Sequence, residues 1–222
     1  MGNDEYYKVE KNSIVITLFG ELVIRYDMKS MTLEKYALLS ITQAMQAYDS
    51  SYCQIDQSKI FMCGGLRRGH ARQLSDFAAM FDCNSNDMLL FTPMQLPRHK
   101  HALVTLGDFA YAIGGITADS AYSVSVERFN FNTRGWEHVA PLTYGRQFPK
   151  ACVSTNSNRL FLFGGCQSND HNALVEVYDC QDNQWYLLGL RTGGEQALVL
   201  KEPFNSMKSW ALMIEGRWSA LM

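Results

Sequence analysis

The sequence predicts an all-β protein built from repeated four-stranded antiparallel sheets. Apolar runs that end in two glycines recur about every fifty residues, as KIFMCGG (59–65), FAYAIGG (109–115) and LFLFGG (160–165). Each run precedes a polar loop and then a second apolar run, which closes on an aromatic residue followed by Asp or Asn. Repeats of about 40 to 50 residues are typical of propellers, solenoids and other arrays of one structural unit.

The second runs have one pattern and read AAMFDCNSNDM (78–88), SVERFNFNTRGW (125–136) and VEVYDCQDNQW (175–185). Turn-forming pairs such as Gly107 and Asp108 separate the β-prone segments, which predicts a meander of four short strands in each repeat. We therefore expect one domain over 1–222, with units near 5–40, 47–92, 101–140 and 151–188 and a half unit at 196–216.

These repeats resemble the kelch repeat, the blade unit of one family of β-propellers. The residues that match are Gly64, Gly65, Gly114, Gly115, Gly164, Gly165, Phe81, Phe129, Tyr178, Trp136 and Trp185. The match covers 47–190 well, although Met88 stands where the second unit should have Trp. The resemblance implies a kelch-type β-propeller, complete or partial, with about four to five blades. We expect the matching glycines and aromatic residues to be structural.

The segment TLEKYALLSITQAMQAY (32–48) supports two interpretations. Its apolar residues fit the stripe of an amphipathic helix. The phase of the repeat instead places an outer strand near 34–40 and a connecting loop after it. We favour the strand, because we give the phase of the repeat more weight than local helix propensity.

Composition and charge exclude several classes of function. A formal net charge of −2 argues against a generic nucleic-acid binder, which needs an excess of cations to neutralise phosphates. No apolar run reaches membrane-spanning length, and the acidic N-terminus lacks the pattern of a signal peptide. We expect a cytoplasmic protein with reduced cysteines, because the six cysteines form no CxxC pair.

The sequence offers little support for an enzyme. The five histidines show no spacing that pairs a nucleophile with a base, and HKH (99–101) lacks an evident third metal ligand. We therefore predict no catalytic residue, no metal site and no cofactor. The family resemblance alone implies a second class of function, a small-molecule enzyme of the kelch-type oxidase or sugar isomerase kind.

The loops after the glycine pairs and the loops between units should emerge at one end of the sheets, because strands alternate in direction. Basic residues concentrate in these loops, most densely in LRRGHAR (66–72). Arginine can bind carboxylates through two parallel hydrogen bonds. We predict a surface for an acidic protein partner, formed by Arg67, Arg68, His70, Arg72, Arg98, His99, Tyr144, Arg146 and His171.

The predicted function is thus a non-enzymatic scaffold that binds a protein partner within a larger assembly. The family resemblance suggests cytoskeletal or ciliary assemblies and, as an alternative, substrate adaptors of ubiquitin ligases. We rank the adaptor second, because the repeats begin near the first residue and leave no room ahead of them for a ligase-binding domain.

Overall fold

The computed structural model describes only part of the chain. The described residues are 13–18, 22–27, 31–38, 47–56, 58–67, 73–82, 84–85, 87–154, 156–167 and 174–189. Every regular element within these ranges is a β-strand, and none of these residues forms a helix that could span a membrane. The predicted half unit at 196–216 lies outside the described residues.

The strands of the described residues form five antiparallel sheets, and within each sheet the strands follow chain order. Sheet I contains β1 (Ser13–Leu18), β2 (Leu22–Asp27) and β3 (Thr32–Leu38). Sheet II contains β5 (Ser51–Gln54), β6 (Lys59–Cys63), β8 (Ala78–Asp82) and β9 (Asp87–Leu90). A separate two-stranded sheet pairs β4 (Ala47–Tyr48) with β7 (Leu66–Arg67).

Sheets III and IV repeat the arrangement of sheet II. Sheet III contains β10 (Ala102–Leu106), β11 (Phe109–Ile113), β12 (Val126–Asn130) and β13 (Gly135–His138). Sheet IV contains β14 (Lys150–Ser154), β15 (Arg159–Phe163), β16 (Leu174–Asp179) and β17 (Gln184–Gly189). The all-β class is therefore confirmed, and so is the four-stranded meander for sheets II, III and IV, whereas sheet I has three strands within the described residues. Thr32–Leu38 is a strand rather than the start of a helix, and residues 39–46, which follow it, lie outside the described residues.

Sheets II, III and IV pack in sequence through their first strands and their faces. Strand β10 contacts β5 on one side and β14 on the other. Aromatic side chains fill the space between sheets II and III, where the rings of Phe61 and Phe129 stack at 5.1 Å. Between sheets III and IV the rings of Tyr111 and Tyr178 meet edge to face at 5.8 Å. Such packing supplies the apolar burial that holds neighbouring sheets together.

The tryptophans of the fourth strands tie each sheet to the linker that precedes it. Trp136 donates from Nε1 to the carbonyl of Thr92 at 2.9 Å. Trp185 makes the equivalent bond to the carbonyl of Ala140, also at 2.9 Å. The structural role predicted for these residues is therefore confirmed, since each joins a blade-like sheet to the connection before it.

The glycine pairs have a left-handed backbone, and the backbone of a linker passes close to several of these glycines, although not to Gly164. Gly115 has φ +94°, and a Cβ added there would lie 2.6 Å from the carbonyl oxygen of His99. In contrast, Gly107 has φ +57° in the exposed turn between β10 and β11, and no heavy atom lies within 4 Å of its added Cβ. A side chain at Gly107 would therefore meet backbone strain alone, whereas a side chain at Gly115 would meet backbone strain and a steric clash.

We predict that Gly107→Ala destabilises the protein by about 1–2 kcal/mol, the cost of a left-handed non-glycine residue. Gly115→Ala should cost about 1–3 kcal/mol more, because the linker backbone must also move away from the new methyl group. Chemical denaturation of both variants measures the difference. Equal losses of unfolding free energy would contradict the close-approach explanation.

Candidate functional site

The variable loops emerge at one end of the sheets, as the alternation of strands predicts. In sheet III the end of β11 pairs with the starts of both neighbouring strands, through Ile113 with Ala102 and Ile113 with Val126. The loop after each glycine pair and the linker between sheets therefore lie at the same end. We call this the double-glycine end, and the end with the tight hairpin turns the hairpin end.

Arg98 lies inside the protein at this end and joins sheets II and III. Its backbone bonds to sheet II, since its carbonyl accepts from the Gly65 N–H at 2.8 Å and its N–H donates to Ser75 O at 3.3 Å. Its guanidinium bonds to sheet III, donating to Gly114 O at 3.0 Å and Ser125 O at 2.8 Å. Nη2 also donates to Oε1 of Glu127 at 2.8 Å.

The Arg98–Glu127 ion pair is completely enclosed, with both side chains 0% exposed. The carboxylate has further donors, because the N–H groups of Gln95 and Leu96 bond to it at 2.7 and 3.0 Å. Burial lowers the pKa of Arg98, and Glu127 opposes that effect. A buried pair of charges persists only with such complete hydrogen bonding.

Arg146 repeats this arrangement between sheets III and IV. Its N–H donates to Ser123 O at 3.1 Å, and its carbonyl accepts from the Gly115 N–H at 2.7 Å. The guanidinium donates to Glu176 at 2.9 Å, and also to Gly164 O at 2.7 Å and Leu174 O at 3.1 Å. The Arg146 and Glu176 side chains are likewise 0% exposed.

These contacts correct part of the predicted binding surface. Arg98 and Arg146 were expected on the surface because charged residues in loops are usually solvated. Both are internal, because the carbonyls that follow the second strands need donors and a glutamate on each third strand supplies the opposite charge. Neither guanidinium is exposed to bind a partner.

Sheet II replaces both members of the pair by alanine. The linkers before sheets II, III and IV each contain one equivalent residue with a left-handed backbone, with φ of 60° at Asp49, 56° at Lys100 and 52° at Phe148. The residues two positions before these are, in the same order, Ala47, Arg98 and Arg146. Opposite the second strand, Ala79 takes the place of Glu127 and Glu176. Ser50 donates from Oγ to Gly64 O at 2.9 Å, which satisfies a carbonyl that receives a guanidinium in the other sheets.

The two histidines of HKH are also mostly internal. His99 is 8% exposed, and its Nδ1 lies 2.9 Å from Oδ2 of Asp49. Nε2 of His101 lies 3.3 Å from Sγ of Cys63, and its Nδ1 has no hydrogen-bond partner among the described residues. Burial, followed by the nearby Arg98, holds the pKa of His101 well below its usual value. His99 therefore contributes to the linker structure rather than to an exposed surface.

The remaining predicted residues divide into two groups. Arg67 is partly exposed, with its Nη2 3.4 Å from Asp76, and Tyr144 is half-buried in the linker before sheet IV. The other four, Arg68, His70, Arg72 and His171, lie outside the described residues. Of these six residues, the structure thus shows Arg67 and Tyr144 at the double-glycine end.

A depression of about 350 Å³ opens at the double-glycine end where the first strands of sheets II, III and IV begin. We call it the axial depression. Its walls come from equivalent positions of three repeats, since Asp49, Lys100 and Phe148 line it together with His101 and Lys150. Lys150 is exposed, whereas the carboxylate of Asp49 already contacts His99. The depression therefore presents a net positive charge.

Phe148 gives the depression an apolar contact as well. Its side chain is 56% exposed although its backbone adopts a left-handed conformation that bulky residues rarely adopt. The Phe148 N–H donates to Lys100 O at 2.7 Å, and Nζ of Lys100 lies 4.6 Å from the ring centroid. Sequence reasoning missed Phe148, although aligning the repeats on Asp49 and Lys100 would have found it.

None of the cysteines in the described ranges forms a disulfide. Burial raises the pKa of Cys53 and of Cys63, which keeps both thiols protonated. Within the described residues, no group of three or more His, Cys, Asp or Glu side chains could hold a metal ion.

Comparison with known proteins supports the resemblance seen in the sequence. The kelch motif matches residues 150–189, which include all of sheet IV. The chain is 29% identical to human Kelch-like protein 38 over 65% of its length. It is 30% identical to mouse Kelch-like protein 15 over 54% of its length, and 30% identical to Kelch-like protein 25 of Xenopus tropicalis over 57%. The resemblance to the kelch repeat is therefore confirmed.

The chain is much shorter than these relatives. The aligned region covers 25% of human Kelch-like protein 38, 20% of mouse Kelch-like protein 15 and 22% of the Xenopus protein. The similarity therefore concerns the repeats and a fraction of each whole protein.

We predict strong coupling between Arg146 and Glu176. Glu176→Ala should cost about 3–5 kcal/mol of unfolding free energy, because it leaves a buried guanidinium without its counter-charge. The double variant Arg146→Ala/Glu176→Ala should cost less than the sum of the two single variants, by about 1–3 kcal/mol. A double-mutant cycle in chemical denaturation measures this difference.

The matched control is the pair Arg128 and Glu137, which has a similar distance of 2.7 Å but partly exposed side chains. Breaking it should cost at most about 1 kcal/mol, because water screens and replaces the contact. Additive losses at Arg146 and Glu176 would show that the buried pair does not act as a unit.

Proposed function

From the kelch repeats that the chain contains, we propose that it is a non-enzymatic protein-interaction module that binds an acidic segment of a protein partner. The binding surface is the double-glycine end. This proposal is based on the axial depression, which brings two lysines and an exposed aromatic ring together in one concave, solvent-open site.

Charge complementarity favours an acidic occupant of the axial depression. Lys100 and Lys150 line the depression together with Asp49. The Asp49 carboxylate already has a partner, since its Oδ2 lies 2.9 Å from Nδ1 of His99. A ligand carboxylate would meet one or two ammonium groups there, and Phe148 would cover an adjacent apolar part of the ligand. Lysine suits a partner whose carboxylates vary in position, since its ammonium group is not limited to one planar geometry.

We propose that residues of LRRGHAR contribute to the same binding surface. Arg67 starts this loop at the double-glycine end, and its side chain is 40% exposed. We propose that Arg68, His70 and Arg72 act with it, and that Tyr144 and His171 add hydrogen bonds. Several dispersed cations would speed the encounter with an acidic partner and make binding sensitive to salt.

We propose a cytoplasmic assembly as the setting, cytoskeletal or ciliary in kind. The second candidate is a substrate adaptor of a ubiquitin ligase, which the similarity to Kelch-like proteins favours. Affinity capture from the native source distinguishes the two settings. Ligase subunits among the captured proteins would favour the adaptor, and their absence would favour the scaffold.

We predict that Lys100→Glu/Lys150→Glu weakens binding of the captured partner at least about tenfold, because it places carboxylates against an acidic segment. Arg67→Glu/Arg68→Glu/Arg72→Glu should weaken it in the same direction. Kd measured between low and physiological salt should rise with ionic strength for the unmodified chain and rise less for the variants.

The control is the variant Lys59→Glu/Arg134→Glu, which reverses two positive charges at the hairpin end as Lys100→Glu/Lys150→Glu does at the double-glycine end. This variant should bind with unchanged affinity, since the two residues lie at the opposite end of the sheets. Capture that is insensitive to salt and equal for all variants would overturn the proposal of an acidic partner.

A further inference from the structure

A second concavity lies at the double-glycine end, between sheets III and IV. It has a volume of about 530 Å³ and is lined by Asp119, Ser120, Ala121, Tyr122, Tyr144, Gly145, Cys166 and Gln167. We call it the inter-sheet cleft. It differs from the axial depression in charge, because among the described residues that line it only Asp119 is charged.

We propose that the inter-sheet cleft binds a cationic side chain, an arginine or a lysine, of the same partner segment. The proposal rests on the proposed function for the identity of the partner as a protein, and it adds that the segment carries both charges. Acidic side chains bind at the axial depression, and a basic side chain binds between sheets III and IV.

The chemistry of the lining favours a cation. Asp119 is exposed and forms no ion pair within the part of the chain that the structure describes. Two tyrosine side chains, Tyr122 and Tyr144, provide the aromatic surface on which guanidinium and ammonium groups bind favourably. The Gln167 amide adds a hydrogen-bond acceptor. Burial raises the pKa of the Cys166 thiol, which leaves it neutral at physiological pH.

The wall formed by sheet III is preorganised by a tight turn. The Thr117 N–H donates to Ser120 O at 2.9 Å, and the Tyr122 N–H donates to Oγ of Ser120 at 3.1 Å. The Ser123 N–H donates a hydrogen bond to Gly115 O at 2.9 Å, which closes the loop at its base. These bonds fix Asp119 and Tyr122 before any ligand arrives, which lowers the entropic cost of binding.

The opposite wall is fixed by the linker. A Cβ at Gly145 would clash with the carbonyl of Tyr122, so the linker can approach the turn this closely because residue 145 is glycine. The next residue is Arg146, whose backbone bonds to sheet III and whose guanidinium bonds to sheet IV. The buried ion pair therefore holds Tyr144 and Gly145 at the edge of the cleft.

The test uses a small probe in place of the partner. N-acetyl-arginine amide is titrated into the isotope-labelled chain, with N-acetyl-citrulline amide as the neutral probe of nearly equal shape. Amide shifts of Ser120, Tyr122 and Gly145 report on the cleft. We expect saturable shifts with a Kd of about millimolar order for the arginine probe, as one side chain allows. The citrulline probe should bind at least tenfold more weakly.

Two variants with the same change in charge complete the test. Asp119→Asn should abolish the saturable shifts, whereas Asp87→Asn, in strand β9 next to a hairpin turn, should leave them unchanged. Unaltered shifts elsewhere in the spectrum verify that both variants are folded. Equal shifts with both probes, no saturable shift, or full binding to Asp119→Asn would each overturn the proposal.

This outcome is independent of the test of the proposed function, because the probe binds without any protein partner. If the arginine probe binds as expected but Lys100→Glu/Lys150→Glu leaves partner capture unchanged, the cation site stands and the acidic-segment proposal fails. The reverse result would remove the cation site alone.

Discussion

The structure depends on arginines that are buried between successive sheets. Arg98 bonds through its backbone to sheet II and through its guanidinium to sheet III, and Arg146 does the same for sheets III and IV. A guanidinium buried without a counter-charge would be too costly, so each needs the glutamate on the third strand and the carbonyls around the glycine pair. In sheet II both charges are absent together, as Ala47 and Ala79 show, which agrees with a pair that can be lost jointly but not singly.

The same interaction explains why the double-glycine end can carry a binding surface. Linkers between sheets are long and polar, and without internal anchors they would sample many conformations. The buried pairs and the tryptophan bonds to Thr92 and Ala140 fix both ends of each linker. The axial depression and the inter-sheet cleft both include linker residues next to these anchors. A fixed framework therefore supports variable loops, which suits a module that recognises another protein.

Sequence reasoning found the repeated features because they follow local rules. The glycine pairs mark positions with left-handed φ, and in the repeats of sheets III and IV the aromatic residue of the third strand and the Trp of the fourth are seven residues apart. Those patterns predicted the all-β class, the four-stranded sheets and the end from which the loops emerge. Phe148 and the inter-sheet cleft escaped detection, because a site formed by residues such as Tyr122 and Gly145 on different repeats has no signature in one stretch of sequence.

The repeat, the alternation of strands and the concentration of cations in the loops of one end all follow from local patterns in the sequence. Which of these cations face solvent depends on tertiary contacts, since Arg98 and Lys100 are both basic, lie two residues apart and belong to the same linker. Arg98 is internal because Glu127 and the Gly114 carbonyl lie within its reach, whereas Lys100 lines the axial depression. Local sequence sets the conformation of a linker, but burial of a charge depends on partners that the fold brings from the neighbouring sheet.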